Sequence, residues 1–221
     1  MRPKSKGPHV VVTAGPTREH IDPVRYLSNE SSGLMGFAIA NAAARAGMRV
    51  TLIAGPVGLA TPERVTRVDV FSARDMLAAT KAAFAEADAL VMAAAVSDWR
   101  PKRRLAGKWR KKDGGSDVAS LELVKNPDIL ATVARRKGNR LVVGFALETG
   151  DGMRRARAKL RRKNADYIVL NDPSALGAQR TSVTIIDEQG GVQPIQGKTK
   201  DAVARHLVKL VQAGIDNQAS R

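Results

Sequence analysis

The chain has 221 residues, 43% of them apolar but with only two Trp, two Tyr and four Phe, so it can bury one sizeable core, and that core is aliphatic. It has no cysteine, which excludes disulfides, thiolate metal ligation and a cysteine nucleophile. The formal charge of +16 favours anionic partners such as phosphorylated small molecules or nucleic acid.

The opening "MRPKSKGP" is basic but lacks the apolar stretch of a signal peptide. No apolar run reaches the ~18 residues of a membrane span, so a cytoplasmic protein with no membrane partner is expected. "HVVVTAG" from His9 is a β-branched run closing on glycine and predicts a buried strand. A helix is predicted over 33–47, then strands from Arg49 ("RVTLIAGP") and Arg64 ("RVTRVDVFSA"). "ARDMLAATKAAFAEA" from Ala73 reads as helix and "DALVMAAAVSD" from Asp88 as strand. "NPDILATVARRKG" from Asn126 predicts a helix capped by Asn126, with Pro127 as its first residue. Strands are expected from Asn139 and Asp166, with the basic helix "GMRRARAKLRRKNAD" from Gly152 between them. A late strand starts at Ser182, a last helix covers 199–213, and about 215–221 should fray.

Strand alternates with helix throughout. That predicts an α/β fold: a Rossmann-like, doubly wound, mostly parallel sheet with helices on both faces. No repeat or linker interrupts the chain, so one domain over 1–221 is expected. In such sheets ligands bind beyond the carboxyl ends of the strands. This draws attention to residues 15–17, 98–112, 148–150 and 171–172. Residues 100–116 carry Pro, Gly and many charges, and predict a mobile basic flap.

Gly15 stands alone after the first strand, and about fifteen residues precede the helix, so the stretch is not a dinucleotide fingerprint. Ser31 or Ser32 can cap that helix. A cap leaves unexplained a long loop holding Asp22, Arg25, Ser28 and Asn29, and structureless loops of that length tend to be functional. Small residues at Ala93–Ala95 allow a flat ring to lie against backbone; close packing explains them equally well. Asp98 can accept hydrogen bonds from ribose hydroxyls. The basic run after it can close over phosphates, or serve nucleic acid with Trp99 and Trp109 as stacking platforms. Lys159 and Lys163, four apart, share a helix face. The three His residues have no metal-binding spacing.

Taken in order, "VVTAGPTREHIDPVRYLSNESSG", "AAAVSDWRP", "GKWRKK", "VKNPDIL", "VVGFALET", "KLRRKNAD" and "VLNDP" resemble the phosphopantothenate–cysteine ligase family of coenzyme A biosynthesis, over nearly the whole chain. The resemblance implies a bacterial-type ligase that activates 4′-phosphopantothenate with CTP and Mg²⁺ as an acyl-cytidylate, then joins it to cysteine. It implies Asn29 as the catalytic residue and Ser31, Ser32 and Gly33 as substrate-binding. It implies nucleotide contacts at Met92, Ala93, Ala94, Asp98, Lys108 on the flap, Pro127, Asp128, Ile129, Leu130, Phe145, Lys159 and Lys163. The metal's protein ligands stay open. A homodimer is implied, with a separate phosphopantothenoylcysteine decarboxylase as a possible partner, no flavin, and no nucleic acid. Leu34 stands where many relatives carry Lys, and the segment after Pro173 departs from the family pattern. The alternatives are ATP or another carboxylic acid in the same fold, or a basic nucleic-acid-binding protein.

Overall fold

The computed structural model describes residues 7–110, 118–148, 150–171 and 180–219. The basic N-terminus, residues 111–116 of the expected flap and the divergent stretch from 173 to 179 lie outside the described residues. β1 (His9–Ala14) is buried at every position, as a Val-rich strand covered on both faces must be. The chain then forms a small antiparallel hairpin, β2 (Arg18–His20) with β3 (Tyr26–Ser28), where the sequence suggested only loop. α1 (Leu34–Arg45), β4 (Arg49–Ala54) and β5 (Val65–Asp69) follow. α2 (Ala73–Phe84) starts in a capping box between Ser72 and Asp75 and leads to β6 (Ala89–Met92). A second hairpin, β7 (Trp99–Pro101) with β8 (Leu123–Lys125), brackets the basic segment. α3 (Ile129–Ala134), β9 (Leu141–Leu147), α4 (Gly152–Lys163) and β10 (Tyr167–Asn171) come next. The chain ends with β11 (Arg180–Asp187), β12 (Val192–Thr199) and α5 (Lys200–Ala219).

The main sheet has eight strands in the order β12-β11-β10-β9-β6-β1-β4-β5. All pairings from β10 to β5 are parallel; β11 and β12 add antiparallel strands at one edge. Alternate residues serve opposite faces. Val10, Val12, Leu52 and Val143 pack under α1 and α5, through Phe37, Ile39, Val203 and Leu207. Val11, Ile53, Leu90 and Val142 pack under α2, α3 and α4, through Met76, Leu130, Val133 and Leu160. The α/β, doubly wound expectation holds. No helix among the described residues is long and apolar enough to cross a membrane.

Three expectations about helix ends are corrected. Neither Ser31 nor Ser32 caps α1: its N-cap is Gly33, at φ +77°, with no side-chain cap. The start of α1 butts against the end of β1, and a Cβ on Gly33 would lie 3.4 Å from Gly15 backbone. Asn126 does not cap α3, and Pro127 is not its first residue. Asp128 is the cap, accepting the Ala131 N–H at 2.9 Å. The last helix does not stop at 213: α5 runs to Ala219, with Ile215 against the core and Gln212 Nε2 donating to Asp216 at 2.9 Å.

Gly55, just past β4, marks how tightly the strand ends are packed. A Cβ there would fall 1.8 Å from the Pro16 carbonyl oxygen, whereas Gly58 has open space around it. Gly55→Ala should lower stability in urea unfolding by roughly 1–3 kcal/mol, the range for overpacking. Gly58→Ala should stay within about 0.5 kcal/mol of the parent. Equal midpoints for the two variants would show that the strand ends yield freely.

Candidate functional site

β1 lies between β4 and β6, so the strand order reverses there, and the loops after β1 and β6 leave the sheet side by side. Their backbones are stitched together past the sheet. The Ala95 N–H donates to the Gly15 carbonyl at 2.9 Å. The N–H groups of Ala94 and Ser97 donate to the Thr13 and Thr17 hydroxyls at 3.2 and 3.0 Å. Both threonines are fully buried. The Ser28 hydroxyl donates to the Thr17 carbonyl at 2.8 Å, and the Asn29 amide nitrogen to the Val96 carbonyl at 3.1 Å. An amide nitrogen has two N–H groups. One holds Asn29 on the neighbouring loop and the other remains for a ligand.

Beyond β6 and β9 opens a cleft of about 750 Å³. Met92, Ala94, Val96, Ile129, Leu130 and Phe145 form its apolar part, and Trp99 stands at its rim with the Lys125 ammonium 5.9 Å from its ring centroid. Among the described residues the cleft is lined by five cationic side chains, Lys125, Arg155, Lys159, Arg162 and Lys163, against three carboxylates, Asp98, Asp128 and Glu148. α4 presents Arg155, Lys159, Arg162 and Lys163 to it, spaced by four and three residues, while Ala156 and Leu160 face the core. The apolar area and excess positive charge suit a ring carrying a polyphosphate.

Lys159 donates to the Phe145 carbonyl at 2.8 Å. Burial pulls its pKa below the usual lysine value, and Arg162 adds to that, while Glu148 and Asp98 oppose it. Lys163 is ion-paired with Asp128; burial lowers its pKa too, against the pull of Asp98. Asp128 therefore places an internal anion at the start of α3.

Of the residues singled out in the sequence, the cleft gathers Met92, Ala94, Asp98, Pro127, Asp128, Ile129, Leu130, Phe145, Lys159 and Lys163. Ala93 points to the opposite face, against the α1 side of the core. Asn29 adjoins the cleft through Val96. Ser31 accepts the Gly33 N–H at 3.3 Å and, with Ser32 and Gly33, lies outside the cleft lining, beside the end of β1. Lys108 is exposed and lines a separate hollow on the basic segment. Sequence reasoning missed Arg155 and Arg162, which the spacing from Lys159 already contained. It also missed Asn126, whose amide nitrogen donates to the Ser97 carbonyl at 2.9 Å and whose oxygen accepts from Arg100 at 3.3 Å. Among the described residues no group of three or more His, Cys, Asp or Glu is placed to hold a metal ion.

A lysine with a lowered folded-state pKa binds fewer protons folded than unfolded between the two pKa values, so stability rises with pH through that window. Lys159→Met removes the buried charge. The variant should be more stable than the parent near neutrality in urea unfolding. The gap should narrow as pH climbs towards the ordinary lysine value of 10.5. A variant less stable at every pH would show that the bond to Phe145 outweighs the desolvation.

The family described as DNA/pantothenate metabolism flavoprotein C-terminal domain (DFP) matches residues 5–215. The coenzyme A biosynthesis bifunctional protein CoaBC of Escherichia coli K12 is 46% identical over 200 residues, covering 90% of this chain and 45% of that protein. CoaBC of Vibrio cholerae is 44% identical over 210 residues, covering 93% and 52%. The chain thus spans about half the length of these relatives. A crystal structure of the C-terminal domain of CoaBC superposes with a TM-score of 0.83 at 39% identity, covering 96% of this chain and 97% of that one. With a motif set running from β1 to the end of β10 and a match over nearly its whole length, this chain belongs to the DFP family.

Proposed function

We propose that this chain joins 4′-phosphopantothenate to cysteine, activating the acid with CTP. The cationic cleft, at the reversal of strand order and bordered by Asn29, carries the reading. The relatives' names place them in coenzyme A biosynthesis, which supports it.

A carboxylate is a poor acceptor for an amine at neutral pH, so it must be given a leaving group. In the first step a carboxylate oxygen attacks the α-phosphorus, the α–β anhydride bond breaks, and pyrophosphate departs. In the second the cysteine amine attacks the acyl carbon, CMP leaves with the electron pair of the C–O bond, and the amine gives up a proton. The base lies in the apolar part by Ala94 and Phe145, with Asp98 accepting from the ribose hydroxyls. Arg155, Lys159, Arg162 and Lys163 neutralise the phosphates. The remaining N–H of Asn29 holds the acyl oxygen as negative charge gathers on it. Asp98 and Glu148 are the carboxylates of the cleft that would hold Mg²⁺, the substrate phosphates supplying its other ligands. When bound it supplies charge neutralisation for the departing pyrophosphate. A second copy of the chain and a separate phosphopantothenoylcysteine decarboxylase are its proposed partners.

The test is pyrophosphate release with Mg²⁺ and 4′-phosphopantothenate, using CTP or ATP, with and without cysteine. Release that needs the acid and prefers CTP, with amide product only when cysteine is present, is expected. A preference for ATP would change the nucleotide, and no release from folded protein would overturn the reading. Asn29→Asp replaces the N–H donor with a carboxylate. It should slow the amide-forming step by roughly 10²–10³-fold, the cost of losing an oxyanion donor, while single-turnover pyrophosphate release persists. Unimpaired product formation would remove Asn29 from this role.

A further inference from the structure

Asp22 lies in the turn between β2 and β3, and its side chain is fully buried. A buried carboxylate is costly unless its oxygens are satisfied. One oxygen of Asp22 accepts the N–H groups of Val24 and Arg25, each at 2.7 Å, which closes its own turn. The other accepts the N–H of Trp109 at 3.1 Å, from a residue 87 positions away in the basic segment. The Arg25 guanidinium, 3.7 Å from the same carboxylate, donates to the Trp109 carbonyl. The Leu105 N–H donates to the Ile21 carbonyl at 2.8 Å. Burial pushes the Asp22 pKa up, but the three backbone donors and the Arg25 charge hold it below the usual carboxylate range. The carboxylate is therefore ionised and divides its two oxygens between two loops.

Those loops carry Asn29 and Lys108. Asn29 follows directly on β3, and Lys108 immediately precedes the clamped Trp109. We propose that Asp22 is a positioning residue: by holding the Trp109 N–H it docks the basic segment on the β2–β3 turn and sets the reach of Lys108 towards the nucleotide. The inference rests on the function proposed above, with Lys108, which lies outside the cleft lining, taken as the flap contact to the nucleotide that the family resemblance implies.

Asp22→Asn separates the two tasks of the carboxylate. One acceptor oxygen remains for the turn, but the NH₂ group cannot accept from Trp109. The experiment uses the full chain and combines hydrogen exchange with steady-state kinetics for parent, Asp22→Asn, Lys108→Ala and the double variant. Asp22→Asn should lose protection at the Trp109 amide, with β1 amides unchanged. Its KM for CTP should rise about tenfold, with kcat at saturating CTP within about twofold of the parent. The double variant should be no worse than Lys108→Ala alone, because Asp22 acts through Lys108. Additive losses, or lost protection with an unchanged KM, would overturn the positioning role and leave a purely structural clamp. Unchanged protection would overturn the clamp itself. Should Asp22→Asn fail to fold, Trp109→Pro removes the donor instead and must give the same rise in KM. A parent that releases no pyrophosphate with either nucleotide would sink the functional reading, and the role of Lys108 with it. That result is distinct, because it appears in the parent alone.

Discussion

The site depends on one buried threonine. Where β1 and β6 leave the sheet, their backbone groups lose their strand partners while still enclosed by protein, and each must find another. Thr17 meets this need on two sides: its hydroxyl accepts the Ser97 N–H, and its carbonyl accepts the Ser28 hydroxyl. Ser97 precedes Asp98 and Ser28 precedes Asn29, so one residue fixes the origin of both polar groups. Thr13 repeats the device one step earlier with Ala94. A pair of buried hydroxyls thus carries the order of the parallel sheet into the connections beyond it.

The charge on α4 has a different cost. Lys159 and Lys163 sit where burial disfavours their charged forms. A protein selected for stability alone would not place them there, since a desolvated charge is favourable only when fully paired. The Phe145 carbonyl and Asp128 compensate them in part. The rest of the compensation is available to an anion entering the cleft. Pre-placed charges need no reorganisation when that anion arrives, and this is why such an arrangement suits charge that develops during a reaction. The helix separates its tasks by period: Ala156 and Leu160 pack inward, the cations at 155, 159, 162 and 163 line the cleft, and Arg157 and Arg161 are left in solvent.

What could be read from the sequence divides along the same line. The long strands and helices follow from periodic apolar pattern, and so does the doubly wound order. The hairpins β2–β3 and β7–β8 did not, because three-residue strands are too short to show a period. β12 was missed because it carries Pro194 and Gly197 and is exposed nearly throughout, the composition of an edge strand. Cap rules found good capping residues but not which one is used. Asn126 is drawn away by Ser97 and Arg100, and the left-handed backbone at position 33, φ +77°, favours glycine there. Residues placed on one face of a helix, such as Lys159 and Lys163, were legible. Thr17 with Ser97, and Asp22 with Trp109, are partners 80 and 87 positions apart, and no local pattern contains them.

The alternation in β6 and its extension also divides the space around the site. Met92 and Ala94 face the cleft, and Ala93 faces the α1 side, where Gly33 meets Gly15. The backbone from 92 to 97 therefore runs between the cationic cleft and the packed start of α1. Asn29 is bonded to the carbonyl of Val96, within that stretch. On the proposed reaction its amide stands at the wall of the cleft, where the acyl group activated on the nucleotide would meet it.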